Sequence, residues 1–306
     1  MNNLAFHPVL SSKFVLLILI LFLFSCKSTQ QTQSDDQQVA EFSISAEIKN
    51  DAVAQIKNAD WSSYQVSKGI VYKYHHFNDL FDSRQSVSVI DIDLSQDVKV
   101  EVPFVASGFI KTSEIASQMG AQAAINGSFF NMRTGGSTVF FKSKDEVINF
   151  TLEKSNPYRE NAGFSLDENG KVSILKKPDR GWHAAKSFTL LTSGPLLVYN
   201  GKVEQQVNQK FNTNRHPRTA IGIDKNNHLI AVVVDGRNAE AHGMSTLELA
   251  LLMQTLGCTD AMNLDGGGSS TAWIEIKGVV NYPSDNKKFD HEGERKVADA
   301  IIFIQQ

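Results

Sequence analysis

Cysteine is nearly absent: the 306 residues hold two, Cys26 and Cys258. A scaffold stapled by several disulfides is excluded by that count. Proline is scarce at 7 and glycine an ordinary 20, which excludes collagen-like and broadly disordered chains. Basic charge is not in excess. The 30 Lys and Arg stand against 33 Asp and Glu, a net charge of −3, so no field points to nucleic acid. The spacings H-x-H, C-x-x-C and H-E-x-x-H do not occur, which argues against a zinc site. What is present is ordinary globular material, 42% hydrophobic and 21% charged, enough for one large domain or two small ones.

The N-terminus reads as a targeting segment. Lys13 is followed by FVLLILILFLFS and then Cys26. An apolar run of about a dozen residues is short for a membrane span and suits a signal-peptide core. Leu23-Phe24-Ser25-Cys26 resembles a bacterial lipobox, in which the cysteine carries the lipid. Residues 1–26 are therefore expected to be a lipoprotein signal peptide, with Cys26 the lipidation site. A polar tether follows at 27–40. The expectation is a protein of the bacterial cell envelope, held to the membrane by lipid at the periplasmic face or cell surface. Cys258 is then alone and is read as a buried, inert thiol.

Further along, 41–84 reads as a helix and strand extension. Ile44, Ile48, Ala52 and Ile56 fall four apart, a helical face. Residues 69–77, 86–94 and 98–104 are rich in β-branched residues and read as strands. A short helix carrying Ile115 and Met119 stops near Gly120, and AQAAING runs as a buried strand into a loop. RTAIGIDKNNHLIAVVVDG is a hairpin turning at Asp224 to Asn227. One helix is strongly signalled: Ser245 and Glu248 form a capping box, Leu249, Leu252, Met253 and Leu256 form its apolar stripe, and Gly257 closes it. There is no internal repeat, and no linker after about residue 60. Strands outnumber helices without βαβ alternation. The fold class expected is α+β, a largely antiparallel or mixed sheet core with a few packed helices.

After that helix the chain reads NLDGGGSSTAW, Asn263 to Trp273. A nucleotide-binding glycine loop would need a lysine after its glycines and a helix following rather than preceding, and neither is present. Four blocks in series carry more information: INGSFFN at 125–131, RHPRTAIG at 215–222, VVDGRN at 233–238, and GMSTLELALLMQTLGCTDAMNLDGGGSST at 243–271. Together with ERKVADAI at 294–301, they resemble the phosphodiester glycosidase family over roughly residues 85–306. One departure is visible: Ser128 stands where the family's first block usually carries a second glycine. The resemblance implies hydrolysis of a sugar-1-phosphodiester at the anomeric carbon, releasing the sugar and leaving a phosphomonoester.

Chemistry suggests roles for the residues in these blocks. A phosphate monoester leaves as a weakly basic anion, so the site must mainly hold that anion and stabilise an oxocarbenium-like centre. Asp265, at a strand end, is the first catalytic carboxylate expected. Asp235 is the second, and the separation of the pair would decide retention or inversion. Arg218 is expected to clamp the phosphate with its guanidinium fork. Arg215, His216, Arg237 and Arg133 are further anion contacts. Gly266, Gly267 and Gly268 would bring bare backbone N–H groups to the anion, with Ser269 and Ser270 donating hydroxyls. Asn126, Gly127, Ser128 and Asn263 would meet the sugar. Phe129 and Phe130 are read as packing under the loop, and Glu294, Arg295 and Asp299 as an ion network entering the last strand. No cofactor is required, although Asp235, Asp265 and nearby carbonyls could hold Ca²⁺ or Mg²⁺. The expected partner is a phosphorylated glycan or other glycosyl-phosphodiester. Two other readings stay open: a surface lipoprotein that binds such a glycan without turnover, and a metal-dependent phosphodiesterase.

Overall fold

The computed structural model describes residues 42–151 and 156–306; the expected signal peptide, lipidated Cys26 and the tether lie outside them. Among the described residues, no helix is long and apolar enough to cross a membrane.

The hairpin at 218–234 is the spine. Its strands, Arg218–Asp224 and His228–Val234, pair in unbroken register from Arg218↔Val234 to Ile223↔Leu229. Asn227, at a φ of 66°, supplies the left-handed turn residue. The pair sits in the middle of an eight-stranded sheet in the order Ser62–Ser67, Ile70–Phe77, Gln85–Asp93, His228–Val234, Arg218–Asp224, Cys258–Asn263, Leu196–Tyr199, Lys202–Val203. Every neighbouring pair in it is antiparallel. Strands 62–67 and 70–77 thus belong to the same sheet as 85–93, so the extension expected at 41–84 is largely built into the main sheet.

The period of two along each strand divides the core. Ile230, Val232 and Val234 face one side, where they meet Leu249, Leu252 and Met253 of the helix Thr246–Thr255 and Ala52 and Ile56 of the helix Ala46–Asn58. Leu229, Ala231 and Val233 face the other side, against Phe141, Phe164, Ile125 and Phe303. Those come from two five-stranded antiparallel sheets. One runs Val172–Lys176, Ala162–Leu166, Thr189–Ser193, Phe141–Ser143, Glu146–Asn149; the other runs Gly278–Val279, Ala272–Ile274, Ala123–Asn126, Ala300–Gln305, Val98–Glu101. Each fully buried Leu, Phe or Met contributes roughly 1.5–3 kcal/mol. The fold is α+β and antiparallel throughout its paired strands.

The helix Thr246–Thr255 starts where its capping box says it should. The Glu248 N–H donates to Ser245 Oγ (3.2 Å) and the Ser245 N–H to Glu248 Oε2 (2.8 Å). Gly257, at a φ of 102°, follows its end. The next strand, Cys258–Asn263, then delivers Asp265 to the end of the sheet where Val234 ends and Arg218 begins.

Candidate active site

Asp265 is held by its own backbone before its side chain does anything. Its N–H donates to the Gly127 carbonyl (3.0 Å), and its carbonyl accepts from Asn126 Nδ2 (2.8 Å). The carboxylate accepts the Gly266 N–H (2.9 Å). Burial pushes its pKa up to about 6; the Ser269 hydroxyl, the Gly266 N–H, Arg295 and Arg159 pull the other way. The Ser269 hydroxyl closes no hydrogen bond of good geometry and stays unpartnered, as does that of Ser270.

The glycines serve close approach rather than an open amide nest. The Gly266 N–H goes to Asp265 itself, and the Gly267 N–H goes to the Pro217 carbonyl (2.9 Å). A Cβ on Gly267, whose φ is 65°, would lie 2.9 Å from a terminal nitrogen of Arg237. One on Gly268 would lie 1.9 Å from Asp285 Oδ1 and 2.2 Å from Arg295. Both arginines therefore lie directly against the loop that follows Asp265.

Asp235 is not the second carboxylate of this site. It is 1% exposed, and both its oxygens are engaged: Oδ2 accepts Ser86 Oγ (2.6 Å), while Oδ1 accepts Asn281 Nδ2 (3.0 Å) and the Tyr282 N–H (2.8 Å). Burial lifts its pKa to about 6 against those bonds. It roots the 281–295 segment, which carries Asp285 and Arg295 to Gly268. The carboxylate that feels Asp265 is Asp299. It is 1% exposed, accepts the Ser128 N–H on Oδ1 (2.6 Å), and has its pKa pushed up to about 7 by burial and by the charge of Asp265. Gly127 lies between the two acids: its N–H donates to the Asp299 carbonyl (3.0 Å), and a Cβ there would meet Asp299 Oδ1 at 1.9 Å.

Arg218 does not offer a free fork. It is 1% exposed; Nε donates to the Met244 carbonyl (2.8 Å), and one terminal nitrogen donates to the carbonyls of Phe211 (2.6 Å) and Asn214 (3.0 Å). Its pKa falls to about 9, chiefly through burial, so it stays charged at neutral pH. Arg215 is likewise committed. It pairs with Glu248 (2.6 Å), tying the RHPR segment to the helix cap, and also donates to the Phe81 carbonyl. Arg133 is exposed, and only its backbone N–H is engaged, by Asn131. The exposed cations that act on the site are Arg237, which has left-handed backbone at φ 63°, and Arg159. Arg159 stacks on Phe211 at 4.2 Å, and Arg218 contacts the same ring at 4.9 Å. It lowers the pKa of Asp265 from 106 residues away in sequence. Arg295, bidentate to Asp285 (2.7 and 2.8 Å), completes the group. His216, half-buried, has its pKa lowered by burial and then by Arg218 and Arg237, so it is neutral at pH 7.

The remaining polar candidates make hydrogen bonds within the fold, with Asn263 Oδ1 left unpartnered. Asn126 Oδ1 accepts from Thr219 (2.7 Å) and the Thr271 N–H (3.0 Å), so its amide joins three strand ends and is not open to a sugar. Asn263 donates to the carbonyls of Gly194 and Leu264. Ser128 donates to the Thr192 carbonyl (2.5 Å), so the hydroxymethyl that departs from the family pattern is absorbed inside. Glu294 holds Ser113 at the start of the helix Thr112–Gln118. The Cys258 thiol is buried and pushed well above its ordinary pKa. Among the described residues, no group of three or more His, Cys, Asp or Glu converges to hold a metal ion.

Residues 119–304 match the model of the phosphodiester glycosidase family. The chain belongs to that family. Among curated phosphodiester glycosidase relatives, the N-acetylglucosamine-1-phosphodiester alpha-N-acetylglucosaminidases of Mus musculus and Homo sapiens are 29% and 28% identical over 189 residues. Each match covers 56% of this chain and 35% of the relative, so the chain spans about a third of those proteins' length. The fold agrees with that of a zebrafish phosphodiester glycosidase, the catalytic domain of the same enzyme auto-inhibited by its pro-peptide. The TM-score is 0.61 at 19% identity, over 81% of this chain and 85% of that one. A hypothetical protein from Synechocystis is similar in fold, with a TM-score of 0.60 at 16% identity over 80% and 64%.

Proposed function

We propose that this chain hydrolyses a sugar-1-phosphodiester at the anomeric carbon, releasing the sugar and leaving a phosphomonoester. The observation that carries the reading is Asp265: a carboxylate fixed at a strand end, near-neutral in pKa, with Arg159, Arg237 and Arg295 acting on it or on its glycine loop. Arg159 and Arg237, the exposed pair, take the phosphodiester anion by charge-assisted hydrogen bonds, while Arg295, held bidentate by Asp285, adds its charge from behind the loop. That orientation brings the anomeric carbon to Asp265, which in its ionised form stabilises the positive charge growing there or supplies the attacking electron pair. The leaving phosphate departs as an anion between the arginines, so no strong general acid is needed. Asp265, once ionised, keeps Asp299 across Gly127 protonated to higher pH, because two ionised carboxylates so coupled repel. Arg218 and Asp235 hold the segments that carry the cations.

The reaction requires no resident metal, so activity should survive a chelator. The substrate would be a phosphorylated glycan or another glycosyl-phosphodiester, met in the cell envelope if the N-terminal segment anchors the chain as its sequence suggests. The test is turnover of a panel of α-sugar-1-phosphodiesters with both products identified. A free reducing sugar and a phosphomonoester are expected. Phosphate retained on the sugar would mean P–O cleavage and would overturn the reading, and binding without product would make the protein a glycan-binding module.

A further inference from the structure

We propose that Phe211 is a positioning residue of this site: its ring fixes the Arg159 guanidinium relative to Asp265. The proposal rests on the reading of Arg159 as a contact for the phosphodiester anion. Arg159 needs such a device. It is exposed, and among the described residues its guanidinium makes no hydrogen bond and no ion pair. A long side chain held by nothing spreads over many rotamers. Arg215 and Arg295 are held by carboxylates, Glu248 and Asp285, which offset their charge. Arg159 instead lies over the Phe211 ring, its guanidinium carbon 4.2 Å from the ring centre. An aromatic face attracts a cation without bringing a negative charge that would cancel it. The charge is placed and stays available to an anion.

Phe211 is held in turn by its own surroundings. Its carbonyl accepts from Arg218 (2.6 Å), whose guanidinium carbon also lies 4.9 Å from the ring centre. Its neighbour Asn212 is buried and donates to the Val207 carbonyl (2.9 Å). Phe129 meets the Phe211 ring edge to face at 6.1 Å. Phe129 stands two residues after Gly127, whose carbonyl takes the Asp265 N–H. Contacts therefore run from the backbone that fixes Asp265, through Phe129 and Phe211, to the cation. A second clasp joins the same two segments. Asn156 accepts the Tyr158 N–H (3.1 Å) at the start of the turn Pro157–Arg159, and donates to Gln209 Oε1 (2.8 Å), two residues before Phe211.

The experiment compares Phe211→Leu with Phe211→Tyr. Leucine keeps an apolar side chain and removes the π face; tyrosine keeps the face. Two quantities are read: KM and kcat for an α-sugar-1-phosphodiester, and the titration midpoint of Asp265 by NMR of the aspartate carboxyls. In Phe211→Leu, KM should rise about fivefold, within the range a cation–π contact supplies, with kcat changed less. The pKa of Asp265 is raised by burial and partly pulled back by Arg159 among other groups, so its midpoint should move up in the same variant. Phe211→Tyr should keep both near the parent values. In an Arg159→Gln background, Phe211→Leu should add nothing further, as expected of two residues acting as one unit. A folded leucine variant with the parent KM and midpoint overturns the proposal, as does an effect that persists undiminished in the Arg159→Gln background. A thermal melt reports folding, and Phe211→Met, also without a π face, takes the place of leucine if that variant unfolds. If no phosphodiester is turned over, the glycosidase reading falls and the midpoint alone decides: a rise that needs Arg159 upholds the role of Phe211, and an unchanged midpoint removes it.

Discussion

At the scale of residues, two arginines that look alike in sequence do opposite things. Arg218 is buried under three carbonyl bonds, while Arg237 is exposed against the glycine loop. Arg218→Ala should therefore appear as lost stability, because each orphaned buried carbonyl costs roughly 1–3 kcal/mol; a urea denaturation midpoint measures it. Lysine should not rescue it, having no fork. Arg237→Ala should leave the midpoint nearly unchanged and raise KM for a phosphodiester roughly 10- to 100-fold, the worth of one or two charged hydrogen bonds. Asp265→Asn should lose turnover while keeping most substrate binding. Its acid form is inactive on this account. With a pKa of about 6 in the free enzyme, kcat/KM should rise as pH rises through about 6 and then level off. An unchanged profile in the acid range would remove Asp265 from the role.

At the scale of elements, local signals were legible wherever one segment decides its own structure. The 218–234 hairpin, the capped helix and the strand before Asp265 all follow from turn chemistry, capping and period. The cap carries a prediction of its own: Ser245→Ala should cost about 1 kcal/mol in a denaturation midpoint, and should also loosen Arg215, which shares Glu248. What stayed hidden depends on distant segments. Arg159 follows the short strands at 141–149, and nothing local shows that it stacks on Phe211 and reaches Asp265. Asp299 looks like a strand-entry acid until Gly127 is seen packed against it. Asp235 has the same strand-end setting as Asp265. Only Ser86 and Tyr282, from two other parts of the chain, show that its oxygens are occupied. The glycine triplet marked bare backbone. It could not say that Asp285 and the arginines, rather than a ligand, come closest. Gly268→Ala should accordingly cut activity by displacing Arg295 while leaving the strands on either side intact, readable as a drop in kcat/KM with unchanged circular dichroism.

At the scale of the whole molecule, three buried acids, Asp235, Asp265 and Asp299, have pKa values raised to about 6, 6 and 7 from 3.8. The folded chain then holds protons that the unfolded chain has already lost. Their contribution to stability must therefore fall as pH rises from about 4 to about 7. The denaturation midpoint should be higher at pH 5 than at pH 7.5, and Asp299→Asn should flatten part of that slope. A slope unaltered by the substitution would contradict the raised pKa of Asp299, which burial and then the charge of Asp265 produce. That arrangement is what strand ends can supply: two of them and a glycine loop bring acids together, and loops from elsewhere bring the arginines that offset them. The most direct test of the central claim is hydrolysis of an α-sugar-1-phosphodiester in isotopically labelled water. Attack at the anomeric carbon predicts the heavy oxygen in the released sugar; heavy oxygen in the phosphate would contradict it.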